Sequence, residues 1–162
     1  MTKALSMRIF IAMLVSCNCA FASISWAAPL ERSLPVSVFI TTNQAAPGLE
    51  IVADKYIFQS VYDVSLKTFL PLIIPFSVRS VTGQNVSYDL FMSHLGGQCN
   101  DQPLSLTVTS MQGGEPIVLN EKHRFSGIEN EHGVVISFPV IPQSDLSQQC
   151  EGHIGMIAEP VV

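Results

Sequence analysis

The sequence predicts an all-β domain, a sandwich of eight or nine short strands, and three observations carry that prediction. Apolar and polar residues alternate with period 2 through most of the chain beyond residue 33. Turn-forming residues punctuate the alternation at Pro47-Gly48, Thr82-Gly83-Gln84-Asn85, Gly96-Gly97, Gly113-Gly114 and Gly133. Beyond the first 30 residues no long stretch holds a helical period between caps; 145–149 offers at most a short helical turn.

The strands follow in order. The run 34–40 places Leu34, Val36, Val38 and Ile40 on one face. A second candidate covers 51–58, and Tyr62, Val64 and Leu66 alternate in a third. The fourth, 72–81, contains Pro75, which marks an edge or a bend because proline has no amide hydrogen to give a ladder. Then come 86–92, the clean alternation of 104–108, the short 117–119 and the run 134–140 with Val134, Ile136 and Phe138 on one face. The last candidate, 150–158, alternates Gly152, Ile154, Met156 and Ala158.

The first 27 residues read differently. Lys3 and Arg8 precede an uncharged apolar run from Ile9 to about Ile24, followed by Ser25-Trp26-Ala27. A positive start, an apolar middle and a small-x-small end describe a secretory signal peptide with cleavage after Ala27; Ala20-Phe21-Ala22 offers a second cleavage site. Two other readings stand beside it. The run is somewhat short for a retained membrane anchor, which needs about 20 apolar residues. Leu14-Val15-Ser16-Cys17 is similar to a bacterial lipobox, although the apolar run continues past Cys17.

The whole chain has 162 residues, 48% of them hydrophobic and 13% charged, which excludes a disordered tail and supports one domain over 28–162. Cleavage after Ala27 removes Lys3 and Arg8. Six basic residues then face thirteen acidic ones, a net −7, which argues against a nucleic-acid partner. Cys17 and Cys19 leave with the leader. Cys99 and Cys150 remain, and an exported chain with two cysteines most often joins them. Closing a loop of about 50 residues contributes about 4 kcal/mol in the chain-entropy account.

Little in the mature chain points to chemistry. His123, Glu129, Glu131 and His132 lie close together, but their spacing fits no standard metal-ligand pattern, and the stretch reads as a solvated hairpin or loop. His94 and His153 stand alone in the sequence. Asp89, Asp101 and Glu115 lack the spacing of paired catalytic carboxylates. Asn85-Val86-Ser87 is a glycosylation sequon, relevant only to a eukaryotic source. Trp26, the chain's one tryptophan, lies in the leader, so an aromatic sugar platform is disfavoured, and Tyr56, Tyr62 and Tyr88 read as strand packing. An enzyme, a metal and a cofactor are not expected.

A leader, about 135 mature residues, an alternating segment at 34–40 and the ending Gly152-His153-Ile154-Gly155-Met156-Ile157-Ala158 together resemble the pilin subunits of chaperone–usher fimbriae of Gram-negative bacteria, and among them the enterotoxigenic type. Two departures stand against the pattern. Cys150 occupies the position where such pilins commonly carry an aromatic residue, and the first cysteine of the pair falls later than usual. The resemblance implies an immunoglobulin-like sandwich that lacks its final strand. It implies partners: a periplasmic chaperone that lends a strand and grips the carboxylate at Val162, an outer-membrane usher, other fimbrial subunits and, for an adhesive subunit, a host receptor. It implies that Leu34, Val36, Val38 and Ile40, within an N-terminal extension 28–42, form a donor strand for a neighbouring subunit. Gly152, Ile154, Met156, Ala158 and Val162 would form the C-terminal strand read by the chaperone. The route would be export across the inner membrane, then periplasm, then cell surface. The bland alternatives are that 34–40 is simply the first strand of a complete sandwich, and that the chain is a self-contained periplasmic or secreted binding domain or lipoprotein.

Overall fold

The alternating segments fold into two layers of sheet. The structure, a computed structural model, describes residues 48–143 and 148–161, together with the backbone of 33–40. The leader, 145–147 and Val162 therefore lie outside the described residues. All described residues fall within one unit, Glu31–Val162.

Among the described residues the strands are β1 (Ser33–Ile40), β2 (Leu49–Val52), β3 (Ile57–Asp63), β4 (Thr68–Phe69), β5 (Leu72–Ser80), β6 (Val86–Cys99), β7 (Gln102–Pro103), β8 (Thr107–Ser110), β9 (His123–Gly127), β10 (Glu129–Ser137) and β11 (Cys150–Pro160). The first sheet runs β4-β3-β1-β11-β6-β7, with β9 also paired to β6; the second runs β2-β5-β10-β8. All pairings between these strands are antiparallel except β1 with β11. The expected all-β sandwich is the fold.

The core lies between the layers. Tyr88, Leu90, Met92, Ile154, Met156 and Ala158 enter it from the first sheet. Ile51, Ile74, Phe76, Val78, Val108, Val134 and Ile136 meet them from the second. Strand β5 shows the periodicity at its cleanest, with Leu72, Ile74, Phe76, Val78 and Ser80 buried and Ile73, Pro75 and Arg79 exposed. Each large apolar side chain fully buried contributes about 1.5–3 kcal/mol.

Several expectations change in detail. The candidate 51–58 is two strands, β2 and β3, with residues 53–56 between them. The third candidate ends early: the Asp63 carboxylate accepts the backbone N–H groups of Ser65 (2.8 Å) and Leu66 (3.1 Å), so the chain turns where the alternation continues. Gly96-Gly97 and Gly133 are not turns but lie inside β6 and β10. At Gly133 the reason is close approach, since a Cβ there would sit 2.9 Å from the Met111 sulfur. Pro75 is in an inner strand, yet β2 pairs only with Ser77–Ser80 of β5, so one flank of Pro75 is open and the expected edge exists locally. The solvated hairpin expected around His123–His132 is instead two strands in different sheets, β9 against β6 and β10 against β5.

Candidate functional site

The first sheet is held together across its middle by β1. Its residues 33–37 pair antiparallel with 57–61 of β3, and its residues 36–40 pair parallel with 152–156 of β11. Among the described residues, every strand pairing between the β4-β3 part of this sheet and the β11-β6 part passes through that one strand. In register, Val36 lies opposite Gly152 and Phe58, Val38 opposite Ile154, and Ile40 opposite Met156. Leu34 lies opposite Ser60. The four positions of the alternating row thus align with inward positions of both neighbours: Ser60, Gly152, Ile154 and Met156 are buried and Phe58 half-buried.

The two walls of this slot are anchored separately. On the β3 side the Ser60 hydroxyl donates to the Leu70 carbonyl, and the buried Tyr62 hydroxyl donates to the Ile141 carbonyl at 2.7 Å. Ile141 in turn donates its backbone N–H to Lys67 at 2.7 Å, so the chain after β10 is tied to the β3–β4 hairpin. On the other side β11 pairs with β6 from Cys150–Cys99 to Pro160–Tyr88. The Cys99–Cys150 disulfide, expected from the cysteine count, closes the first rung of that ladder, with Cα atoms 4.0 Å apart. At the other end Val161 donates its N–H to Ser87 at 2.8 Å. Of the expected C-terminal strand residues, Gly152, Ile154, Met156 and Ala158 are all buried.

A cavity of about 340 Å³ opens between the sheets, lined among others by Phe76, Phe91, Glu115, Phe125, His132 and Met156. No single stretch of sequence signals it, because its walls come from β5, β6, β8, β9, β10, β11 and the 112–117 segment that follows β8. His132 is buried in an aromatic nest, stacked on Phe76 and edge-on to Phe125 with ring centroids 5.7 and 4.7 Å apart. Its Nε2 lies 2.8 Å from the Tyr88 hydroxyl, which also accepts from the Asn130 amide at 2.9 Å. Burial holds the His132 pKa below its ordinary value and pushes the Tyr88 phenol up, against the opposing effect of the Asn130 hydrogen bond. One proton lies between the phenol oxygen and the neutral imidazole nitrogen, and the His132 tautomer sets which of the two donates it.

The remaining candidates separate. Among the described residues no three His, Cys, Asp or Glu side chains converge as metal ligands, so His123, Glu129, Glu131 and His132 form no cluster. Asp89 is held by Arg124 at 3.0 Å, which keeps its carboxyl below the usual carboxylate range. Tyr62 and Tyr88 pack in the core, whereas Tyr56 is exposed. His94 and His153, which stand 59 residues apart, are brought together on the outer face of β6 and β11.

No protein-family model matches the chain, and no curated protein matches it. Among solved structures, the CooA pilin subunit from enterotoxigenic Escherichia coli aligns with 70% of this chain and 99% of its own, at 10% sequence identity and a TM-score of 0.41. A likeness of that size carries no functional inference, and the assignment of a sandwich rests on the strand pairing described above.

Proposed function

We propose that this chain is a structural subunit of a bacterial surface fimbria, in which residues 33–40 of one copy occupy the slot between β3 and β11 of the next. The observation that carries the reading is the position of β1: among the described residues, one strand alone joins two otherwise separate parts of a sheet. A strand in that position can be supplied by its own chain or by a neighbour with the same backbone hydrogen bonds. The alternating row Leu34, Val36, Val38 and Ile40 aligns with inward positions on both walls, and four buried apolar side chains would contribute roughly 6–12 kcal/mol. The reading needs no catalysis. Its partners are a periplasmic chaperone that fills the slot before assembly, an outer-membrane usher and other fimbrial subunits. The disulfide suits an oxidising, exported location. The two departures of the cysteine pair from the common pattern favour a minor or accessory subunit.

A second reading is favoured by a specific observation: β1 pairs within its own chain, and an open cavity of about 340 Å³ lies between the sheets. This is the arrangement of a self-contained exported binding domain.

The experiment compares the chain with and without residues 28–42. Under the fimbrial reading the shortened chain is unstable alone and is restored by a peptide of sequence 33–40 added in trans. Intact copies expressed together form a ladder of multimers that disappears when the segment is deleted. Intact chains that remain monomeric at every concentration overturn the fimbrial reading in favour of the second.

A further inference from the structure

His94 and His153 belong to two short sequences of the same form, His94-Leu95-Gly96 on β6 and His153-Ile154-Gly155 on β11. The antiparallel register sets them head to tail, so that His94 faces Gly155 and His153 faces Gly96. Each imidazole therefore has no side chain opposite it, and the two rings meet over the vacant position at Gly96. The fit is close, since a Cβ at Gly96 would lie 2.9 Å from His153 Cε1 and 3.4 Å from His94 Nε2.

A β-bulge sets the face. The register passes from Gly155–His94 to Met156–Met92, leaving Ser93 as the extra residue of β6. Before it Tyr88, Leu90 and Met92 point inward; after it the inward positions are Leu95, Gly97 and Cys99. Without that one-residue shift His94 would share the core-facing parity of Met92. With it, His94 and His153 are both exposed.

The rings meet through Nε2 and Nε2. Their planes are within 7° of parallel, and their centroids are 4.3 Å apart. Parallel rings stacked face to face keep their atoms at about 3.5 Å or more. Nitrogens within hydrogen-bonding reach therefore mean that the rings approach edge to edge, with in-plane nitrogens facing one another. One N–H···N contact satisfies the pair when no ion is present.

We propose that His94 and His153 form a binding site for one divalent transition-metal ion of the kind that imidazole favours, such as zinc, copper or nickel. Rotation of the two exposed side chains opens the gap to admit an ion about 2.0–2.1 Å from each nitrogen. The ring that carries its proton on Nε2 shifts it through solvent to Nδ1, so both Nε2 lone pairs reach the metal and no proton is lost overall. Among the described residues no third His, Cys or carboxylate joins them, and Glu151 is engaged by the Gln98 amide at 2.8 Å, so water completes the coordination. The ion would clasp β6 to β11 farther along the ladder that Cys99–Cys150 closes at its first rung.

The test is calorimetric titration of the untagged protein with Zn2+, beside thermal unfolding with and without EDTA. We expect one ion per chain, a rise in Tm with Zn2+ that EDTA reverses, and at least tenfold weaker binding in each of His94→Ala and His153→Ala. Gly96→Val leaves both ligands in place but fills the space that the rings share, and it too is expected to weaken binding at least tenfold. Far-UV circular dichroism checks that each variant is folded, and His153→Gln replaces any alanine variant that is not. Absence of Zn2+ binding to the wild-type protein, or binding unchanged by His94→Ala and His153→Ala, overturns the site.

Discussion

Tyr88, Asn130 and His132 form a chain of polar groups at the edge of an apolar core, and each member fixes the next. The Asn130 amide donates to the Tyr88 oxygen, and the Tyr88 hydroxyl is hydrogen-bonded to His132 Nε2. Tyr88→Phe keeps the ring and removes the junction, leaving the buried imidazole nitrogen without its hydrogen-bond partner. Unfolding in urea is expected to show a loss of about 1–3 kcal/mol. The same burial makes His132 sensitive to acid. Its folded pKa lies below the ordinary value of 6.5, so the unfolded chain binds the extra proton first as pH falls. The contribution is fully present above about 6.5 and is lost as pH drops through that value toward the lowered folded pKa. Asp63 and Asp89, whose carboxyls are held down by the Ser65 and Arg124 hydrogen bonds, act in a separate window below 3.8. Stability measured between pH 7.5 and 5 is therefore expected to fall more steeply in the wild type than in His132→Gln; equal slopes would remove His132 as the source.

At the scale of the element, β11 organises the first sheet. It pairs with β6 along its whole length and with β1 over 152–156, and its inward residues Ile154, Met156 and Ala158 are nearly inaccessible. Ile154→Ala is expected to cost about 2–5 kcal/mol, because deleting buried methyl groups loses transfer free energy and leaves a cavity. The disulfide at the start of the same strand spans 51 positions of sequence. Replacing both Cys99 and Cys150 by alanine is expected to lower the unfolding free energy by about 4 kcal/mol in chemical denaturation. These two effects arise at different points of one ladder, Ile154 facing the core and Cys150 closing the end, so the triple variant also measures how far β11 acts as a single unit.

For the whole molecule, the decisive feature is that, among the described residues, the first sheet depends on β1 for its continuity. Removing residues 28–42 leaves the facing edges of β3 and β11 without a ladder partner, while β11 keeps β6 and β3 keeps β4. Hydrogen exchange is expected to show the division: amides of 57–61 and 152–156 that point into the slot lose protection, and those of β11 that point toward β6 keep it. Uniform loss across both sheets would show instead that the sandwich does not persist without the strand. Two unpaired edges in the middle of a sheet are also a template for association, so the shortened chain is expected to aggregate unless a strand is supplied.

Alternation with period 2 made β1, β5, the first half of β6 and β11 legible, and in β5 one face is buried and the other is not. Cys99–Cys150 was anticipated by reading residues 1–27 as a leader that takes Cys17 and Cys19 with it, which leaves two cysteines in an exported chain. Boundaries failed where a local hydrogen bond overrode the pattern, as at Asp63, and glycines failed as turn signals where the structure needed close packing, as at Gly133. The candidate donor row was visible as Leu34, Val36, Val38 and Ile40, but not its place between β3 and β11. Likewise His94 and His153 could be read as two repeats of His-x-Gly but not as neighbours. Alternation records which face of a strand meets the core, and that is a local property the sequence carries by itself. Which strands lie side by side, which nitrogens meet and where a cavity opens depend on register between segments tens of residues apart, and only the tertiary structure decides that.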